Sequence, residues 1–299
     1  MLEVVRAGPL TTVQDLGRPG WAHLGVPRSG ALDEPALRLA NHLVGNPPGS
    51  GGLEITLGGF AARFDRPAII AVAGAAAPVL VDGVDQGGLV EQGGAAGPIR
   101  VPAGARVDVR TARRGLRCYL AVDGGIVVPP VLGSRSTDTL SGLGPPVLQN
   151  GVSLPLGDPP SPDPSGPGLV GSPATGAPLP EPGAAIRLGI RFGPRADWFT
   201  AAAHQVLLDS TWTLTPQSNR IGARLSGPAL ARAVPDELPS EGVVLGAVQV
   251  PTGGQPLVFL ADHPTTGGYP VIAVVDQADL STLAQARPGA TVRFHGPQQ

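Results

Sequence analysis

The chain has 299 residues, carries a net charge of −2 and contains no lysine, so all 21 of its basic residues are arginine. Without a long block of one charge, nucleic acid and anionic membranes are poor partners, and no apolar run reaches the roughly 18 residues that suggest a spanning helix. The missing lysine excludes a P-loop for ATP, Schiff-base chemistry and covalent attachment of biotin to this chain.

Short apolar runs separated by glycine and proline predict a mainly β chain with a few helices. The clearest helix is expected at 33–44, where Asp33 can cap the first turn and Pro35 suits it. Further helices are expected at 196–208 and after Asp279. Strands are expected at 53–57, 68–73, 79–81, 106–110, 117–122, 185–192, 245–250, 257–261, 271–275 and 291–294.

Residues 158–184 are rich in proline, glycine and serine and have no usable periodicity. We interpret them as a linker between domains at 1–157 and 185–299. The run GPGLVG at 166–171 matches a dinucleotide fingerprint, but no strand precedes it, so we reject that interpretation. A single cysteine, Cys118, excludes an internal disulfide, and no secretory signal is visible at the N-terminus. Both features favour a cytoplasmic protein.

The segment 10–33 combines polar side chains with four glycines. Glycine lets the backbone approach a ligand or another chain closely. The alternative is a surface loop whose Asp and Arg hold a turn. The candidate substrate-binding residues here are Thr12, Gln14, Asp15, Arg18 and Ser29.

The segment SNRIGARLSGP at 218–228 places Arg220 and Arg224 near Ser218 and Asn219. The guanidinium fork suits a carboxylate or a phosphate, although an exposed turn with two solvated arginines has the same pattern. Further on, Glu241 enters a strand that ends near Gln249. A carboxylate at the mouth of a strand can bind an amide N–H or act as a base, or it can simply be solvated.

The segment DHPTTGGYP at 262–270 joins two apolar runs. Its hydroxyls and consecutive glycine N–H groups can form an anion-binding nest, with Asp262 as an acid–base group at the strand end. A hairpin loop whose residues serve turn geometry is the alternative. The candidates are Asp262, Thr265, Thr266, Gly267, Gly268 and Tyr269. The five histidines are scattered, so the metal ligands, if any, stay unknown.

Several long stretches carry a family resemblance, and in chain order they are 8–46, 53–59, 119–138, 218–228, 240–275 and 279–294. The most specific are GPLTTVQDLGRPGWAHLGVPRSGALD at 8–33 and SEGVVLGAVQVPTGGQPLVFLADHPTTGGYP at 240–270. Together they resemble the biotin-dependent carboxyltransferase-like family. That family includes the C subunit of 5-oxoprolinase, an antagonist of a sporulation kinase inhibitor, allophanate hydrolase subunit 2 and a segment of urea carboxylase.

The resemblance implies two cyclophilin-like β-barrel domains and two partners. These partners are the B subunit of 5-oxoprolinase, which is similar to allophanate hydrolase subunit 1, and the A subunit. ATP with magnesium and a small lactam or amide substrate are implied as well. Asp262, Glu241 and Thr266 are then the expected catalytic residues, and the other candidates bind substrate.

The sequence departs from the family at two places. His263 stands where relatives often have Arg or Gln, and no Gly-Arg loop follows Ser136 and Thr137. The expected function is that of the C subunit of an ATP-dependent 5-oxoprolinase. Two alternatives remain open: carboxyl transfer to urea or a related amide from biotin on another protein, and non-enzymatic antagonism of a kinase inhibitor.

Overall fold

The computed structural model describes residues 1–87, 94–160 and 178–296. Contacts divide the chain into two compact units. The first comprises Met1–Arg18, Asp33–Asp138 and Gly142–Leu179, and the second comprises Pro19–Leu32, Thr139–Ser141 and Pro180–Gln299. Most of the expected linker, and with it GPGLVG, lies outside the described residues. The division into two domains at that linker therefore stays a prediction, and by contacts 19–32 and 139–141 group with the second unit.

The first unit contains one α-helix and eleven strands among its described residues. The helix is α1 (Glu34–Leu43). The strands are β1 (Leu2–Arg6), β2 (Leu10–Gln14), β3 (Gly52–Thr56), β4 (Phe60–Phe64), β5 (Ala68–Ala76), β6 (Val79–Val81), β7 (Val84–Asp85), β8 (Gly94–Val101), β9 (Arg106–Val109), β10 (Arg114–Val122) and β11 (Ser153–Leu154).

These strands form two antiparallel sheets. One has the order β11-β1-β4-β9-β6-β7, and the other has the order β2-β3-β10-β5-β8. Apolar side chains of both sheets, such as Phe60, Phe64, Ile55 and Leu120, are fully buried in one cluster. Because side chains alternate along a strand, each sheet turns one face to this shared core. Helix α1 packs on β5 and β10 of the second sheet.

The second unit contains nine described strands and two α-helices. The strands are β12 (Ile186–Phe192), β13 (Trp212–Leu214), β14 (Gly222–Ser226), β15 (Glu241–Gly242), β16 (Ala247–Gln249), β17 (Leu257–Phe259), β18 (Thr266–Gly267), β19 (Val271–Val275) and β20 (Thr291–His295). The helices are α2 (Ala201–Asp209) and α3 (Gln277–Ala284).

Seven of these strands close into a barrel in the order β12-β19-β16-β17-β14-β13-β20. Its interior is filled by apolar side chains that include Leu188, Trp212, Val248 and Ile272. The remaining strands, β15 and β18, form a separate two-stranded ribbon. The expected mainly β fold with a few helices is confirmed. Of the two expected barrels, the second unit contains one closed barrel, whereas the strands of the first unit form two sheets around one core.

The helix expected at 33–44 is present, and the Asp33 side chain accepts a hydrogen bond from the Ala36 N–H at 3.1 Å, as a cap does. The helix expected at 196–208 is wrong in its first part. Ala196–Trp198 is a short 3₁₀ turn, and α2 starts afresh after Thr200. Thr200 has extended backbone and caps α2 through a 3.1 Å bond from the Ala203 N–H. No helix in the described ranges is long and apolar enough to cross a membrane.

Candidate functional site

A buried ion pair joins Asp262 to Arg220 in the second unit. Strands β14 and β17 pair antiparallel, with Gly222 opposite Phe259. Arg220, two residues before β14, and Asp262, three residues after β17, therefore lie at the same end of this pair. Arg220 Nε donates to Asp262 Oδ2 and Arg220 Nη2 donates to Oδ1, both at 2.9 Å. The side chains are 1% and 0% exposed. This is the fork geometry that makes arginine–carboxylate pairs strong.

Other donors complete the surroundings of Asp262. The Ser29 hydroxyl donates to Oδ1 at 2.7 Å, and the N–H and hydroxyl of Thr139 donate to Oδ2 at 2.9 and 2.7 Å. Arg220 Nη2 also donates to the Gly30 carbonyl at 2.7 Å. The carboxylate therefore accepts five hydrogen bonds, which fills the roughly four lone-pair sites that it offers.

The protonation of Asp262 follows from this network. Burial alone would raise the pKa of the Asp262 carboxyl, but the charge of Arg220 and hydrogen bonds from Arg220, Ser29 and Thr139 outweigh burial. Its pKa therefore lies below the ordinary value. In this conformation the buried carboxylate, which already accepts five hydrogen bonds, leaves no free position for a substrate. The catalytic role expected for Asp262 and the substrate binding expected for Ser29 and Arg220 stay predictions. In the structure, Ser29 and Arg220 both donate hydrogen bonds to Asp262.

The ribbon of β15 and β18 carries the next group of candidates. Glu241 pairs with Gly267 and Gly242 pairs with Thr266, and the Val243 N–H donates to the Thr265 carbonyl at 3.0 Å. Neither Gly267 nor Gly268 has a positive φ. The expected anion nest is therefore wrong, because a nest needs successive turn conformations of opposite hand and this segment is an extended hairpin.

The ribbon nevertheless presents polar groups to solvent. Arg195 Nε and Nη2 donate to Glu241 Oε2 at 2.9 and 2.7 Å, and these side chains are 39% and 23% exposed. Thr266 is exposed, and Tyr269 is 43% exposed. Glu241, Thr266 and Tyr269 thus remain accessible to a ligand, in contrast to Asp262.

Gln249 supports the ribbon from below. It is 4% exposed, and its Nε2 donates to the Tyr269 carbonyl at 3.0 Å. A Cβ added to Gly267 would lie 2.5 Å from the same Nε2 atom. The glycine therefore allows the close approach of Gln249, which supports the ribbon, and the substrate binding expected of Gln249 stays a prediction.

We expect Gly267→Ala to break the bond from Gln249 to Tyr269 and to loosen the ribbon by about 1 kcal/mol, the usual net value of a hydrogen bond. Hydrogen exchange of the ribbon amides should become faster. Gly268→Ala is the matched control, because its Cβ would meet nothing nearer than the Leu238 carbonyl oxygen at 3.5 Å. Equal protection in both variants would contradict the supporting role of Gln249.

Ser218 and Asn219 serve a turn. The Ser218 hydroxyl accepts from the Arg224 N–H at 3.0 Å, and Asn219 Oδ1 accepts from the N–H groups of Ile221 and Gly222 at 2.8 and 3.2 Å. This is the local role that was the alternative interpretation of both residues. The side chain of Arg224 is exposed.

Asp15 organises a second polar cluster, which lies in the first unit. Its Oδ1 accepts from the Gly17 N–H at 2.8 Å and from the hydroxyls of Ser134 and Ser136 at 2.6 Å each. Its Oδ2 accepts from the Arg135 N–H at 2.6 Å. Asp15 is 5% exposed, so this carboxylate ties strand β2 to the segment 134–136.

The other candidates of the first unit are buried beside Asp15. Gln14 Nε2 donates to the Thr12 hydroxyl at 3.1 Å and to the Thr137 carbonyl at 2.9 Å. Arg18 donates to the carbonyls of Ser136 and Val131. Thr12, Gln14 and Arg18 are at most 1% exposed, so all of them hold the structure together in this conformation.

The match to known families decides which proteins this chain is related to. Residues 24–296 match the family described as carboxyltransferase domain, subdomain A and B. The chain belongs to this family.

Two relatives and one solved structure illustrate the relationship. The chain is 40% identical to the C subunit of 5-oxoprolinase from Escherichia coli strain K12, over 98% of this chain and 90% of that protein. It is 34% identical to the C subunit of 5-oxoprolinase from Haemophilus influenzae, with the same coverage. The crystal structure of the K. lactis urea amidolyase superposes with a TM-score of 0.84 at 32% identity over 98% of this chain, which is 18% of that much longer protein.

Several residues of these networks were missed from the sequence. Thr139 donates to Asp262, and Arg195 donates to Glu241. Ser134 and Ser136 both donate to Asp15. The two serines lie within the stretch 119–138 that carries the family resemblance. That resemblance could have identified them as candidates. His263, at a position of departure from the family, is 8% exposed and packs against Phe259 with ring centroids 5.7 Å apart.

The described residues offer no ready-made metal site. No three carboxylate, imidazole or thiol side chains among them come together as metal ligands would. Metal ligands were left unknown from the sequence, and the structure assigns none within these residues.

Proposed function

We propose that this chain is the C subunit of an ATP-dependent 5-oxoprolinase, which opens the lactam ring of 5-oxo-L-proline to give L-glutamate. The observation that carries the proposal is the 40% identity to the C subunit of 5-oxoprolinase from Escherichia coli over 98% of this chain and 90% of that protein. Similarity over nearly the full length of both chains favours the same role in the enzyme over a shared domain alone.

ATP and magnesium fit poorly on this chain alone. The sequence has no lysine, the expected anion nest is an extended ribbon, and the part of the chain that the structure describes holds no acidic cluster for a metal. We therefore place the nucleotide and its magnesium ion with the partners, the B and A subunits, in a cytoplasmic complex. This chain would then contribute groups that bind and orient the lactam.

The exposed ribbon supports that contribution. The Glu241 carboxylate, held by Arg195 yet partly exposed, can accept a hydrogen bond from a lactam N–H. Thr266 is exposed on the same ribbon, and Tyr269 is exposed two residues beyond it. We assign Glu241 to the contact with substrate, and Asp262 and Gln249 to the support of the barrel end and the ribbon. Thr266 pairs with Gly242, one residue along from Glu241, and therefore points to the opposite face of the ribbon.

An omission experiment tests the proposal. The purified chain is combined with the B and A subunits, ATP, magnesium and 5-oxo-L-proline, and glutamate is measured. We expect glutamate from the complete mixture and at least a hundredfold less when this chain is omitted. Glutamate formation at the same rate without this chain, or none with it, would refute the proposal.

A second candidate function is supported by the superposition on the K. lactis urea amidolyase. In that case the chain would transfer a carboxyl group to urea or a related amide from biotin carried by another protein, since without lysine it cannot carry biotin itself. Binding of a biotinylated carrier domain to the purified chain, measured by biolayer interferometry, would favour this function. The absence of such binding would remove it.

A further inference from the structure

A pocket of about 360 Å³ lies in the second unit, and of the candidate residues Arg224 alone lines it. It is formed by the ends of β14 and β17 opposite to Arg220 and Asp262, together with the loop between β16 and β17. Its volume is within the range of about 300–1,000 Å³ that is typical of small-molecule sites. Its polar lining comes from Thr215, Gln217, Arg224, Ser226 and Gln255.

Arg224 is the charged group of this pocket. Its backbone is fixed on both sides, because its N–H donates to the Ser218 hydroxyl at 3.0 Å and its carbonyl accepts from the Thr215 N–H at 2.9 Å. Its guanidinium is exposed, and no carboxylate within the described ranges pairs with it. The turn that holds Ser218 and Asn219 therefore delivers an uncompensated positive charge to the pocket wall.

Two further polar side chains of the pocket differ in their hydrogen bonding. Thr215 Oγ1 is buried and has no hydrogen-bond partner among the described residues. A buried hydroxyl without a partner costs free energy. Because Oγ1 has no exposed surface, a ligand in the pocket can bond to it only after rotation about χ1 turns the hydroxyl into the pocket. The Gln255 amide, in contrast, is engaged by both backbone groups of Gly227, at 2.8 and 3.1 Å, and forms a rigid wall.

The lining also selects by charge and polarity. Leu225, Pro251, Pro256 and Leu257 make the rest of the wall largely apolar. One cation beside an apolar wall matches a single negative charge on a small hydrocarbon ring. A nucleotide triphosphate carries several charges and needs more donors than the one arginine that lines this pocket.

We propose that this pocket binds the carboxylate of a small monoanionic substrate, with Arg224 as the ion-pair partner and Thr215 Oγ1 as a hydrogen-bonding group. The inference rests on the proposed function, and it places 5-oxo-L-proline at Arg224 as an alternative to contact with Glu241, which does not line this pocket. That molecule has one carboxylate, a ring of methylene groups and a lactam. Arg224 is thus the specificity-determining residue for the acid group.

The test is binding of 5-oxo-L-proline to the full-length chain, measured by titration calorimetry and by saturation-transfer NMR. We expect Arg224→Gln to weaken binding at least about tenfold, as loss of a charge-assisted hydrogen bond does. Thr215→Val should weaken it by roughly threefold to tenfold, as loss of one neutral hydrogen bond does. Arg187→Gln, which makes the same charge change at an exposed position of β12 outside the pocket, should leave binding unchanged.

Inorganic phosphate and pyrophosphate test whether the pocket binds a phosphate group instead of a carboxylate. Tight phosphate binding that is lost in Arg224→Gln, without binding of 5-oxo-L-proline, would overturn the assignment to a carboxylate. So would equal affinity of wild type and Arg224→Gln for 5-oxo-L-proline, or no binding by the wild type.

The outcome is separable from that of the omission experiment. Turnover by the complete enzyme with unchanged KM in Arg224→Gln would retain the proposed function and overturn the pocket assignment. Binding that depends on Arg224, without turnover by any reconstituted mixture, would retain the pocket as a carboxylate site and reject the function.

Discussion

Replacing Asp262 with asparagine should lower the free energy of unfolding of the second unit by about 3–5 kcal/mol, because it leaves the buried Arg220 guanidinium without a counter-charge. The replacement keeps the shape of the side chain but places an N–H₂ group against at least one of five donors. Tryptophan fluorescence during urea unfolding isolates this effect. The chain's three tryptophans, Trp21, Trp198 and Trp212, all belong to the second unit.

Asp276→Asn is the matched control for that measurement. Asp276 pairs with Arg191 at 3.5 Å on the same unit, but the side chains are 48% and 81% exposed. Exposed ion pairs contribute about 0–1 kcal/mol, so the control should unfold almost as the wild type does. A similar loss of unfolding free energy in both variants would show that the contribution of Asp262 to stability does not depend on its burial.

Acid titration provides a second readout of Asp262. Because its folded pKa is lowered, its contribution to stability is complete above the unfolded Asp pKa of about 3.9 and is lost as pH falls through the folded value. The wild type should therefore lose stability on acidification more steeply than Asp262→Asn. Parallel pH curves for the two proteins would contradict the assigned pKa direction.

Replacing Asp15 with asparagine is the second large effect that we expect, at about 2–4 kcal/mol in the first unit. Both oxygens of this carboxylate accept hydrogen bonds. Oδ1 accepts from Gly17, Ser134 and Ser136, and Oδ2 accepts from Arg135. An asparagine amide must turn its own N–H₂ toward one of these sides. One buried donor is then left facing another donor. Hydrogen exchange of the amides of β2 and of residues 134–137 should become faster.

Asp85→Asn provides the control for Asp15. Asp85 Oδ1 accepts from the Gly87 N–H at 3.0 Å, two residues ahead, just as Asp15 accepts from Gly17, but Asp85 is exposed. We expect a change within about 0.5 kcal/mol, as for other surface substitutions. If Asp15→Asn were equally mild, the cluster around Asp15 would not tie β2 to residues 134–136.

Features set by local sequence were predictable. Asp33 and Pro35 mark the start of α1 because a cap and a first-turn proline act within one turn. Strands such as β19 (Val271–Val275) were predictable from the apolar run of their own residues. The break before α2 was missed because residues 196–208 look helical throughout. The cap at Thr200 becomes visible only in its hydrogen bond.

Features that depend on distant partners were not predictable. Asp262 and Arg220 were each identified as candidates, but their pairing, between residues 42 positions apart in the chain, was not predicted. Strand β2 (Leu10–Gln14) was interpreted as part of a polar loop. Its threonines and glutamine are buried and hydrogen-bonded, so the usual apolar–polar alternation is hidden. The sequence pattern identifies polar residues with a structural or functional role. It does not show whether such a residue supports the fold or binds a ligand, because that depends on partners that are distant in the chain.

Comparing two substrates in one reconstituted enzyme tests the proposed function most sharply. The chain with the B and A subunits is supplied with ATP and magnesium, and ADP release is measured with 5-oxo-L-proline or with urea. We expect ADP and glutamate to rise together with 5-oxo-L-proline, and urea to give no increase over the substrate-free rate. ADP release that depends on urea or on a biotinylated carrier, without glutamate from 5-oxo-L-proline, would contradict the assignment to 5-oxoprolinase.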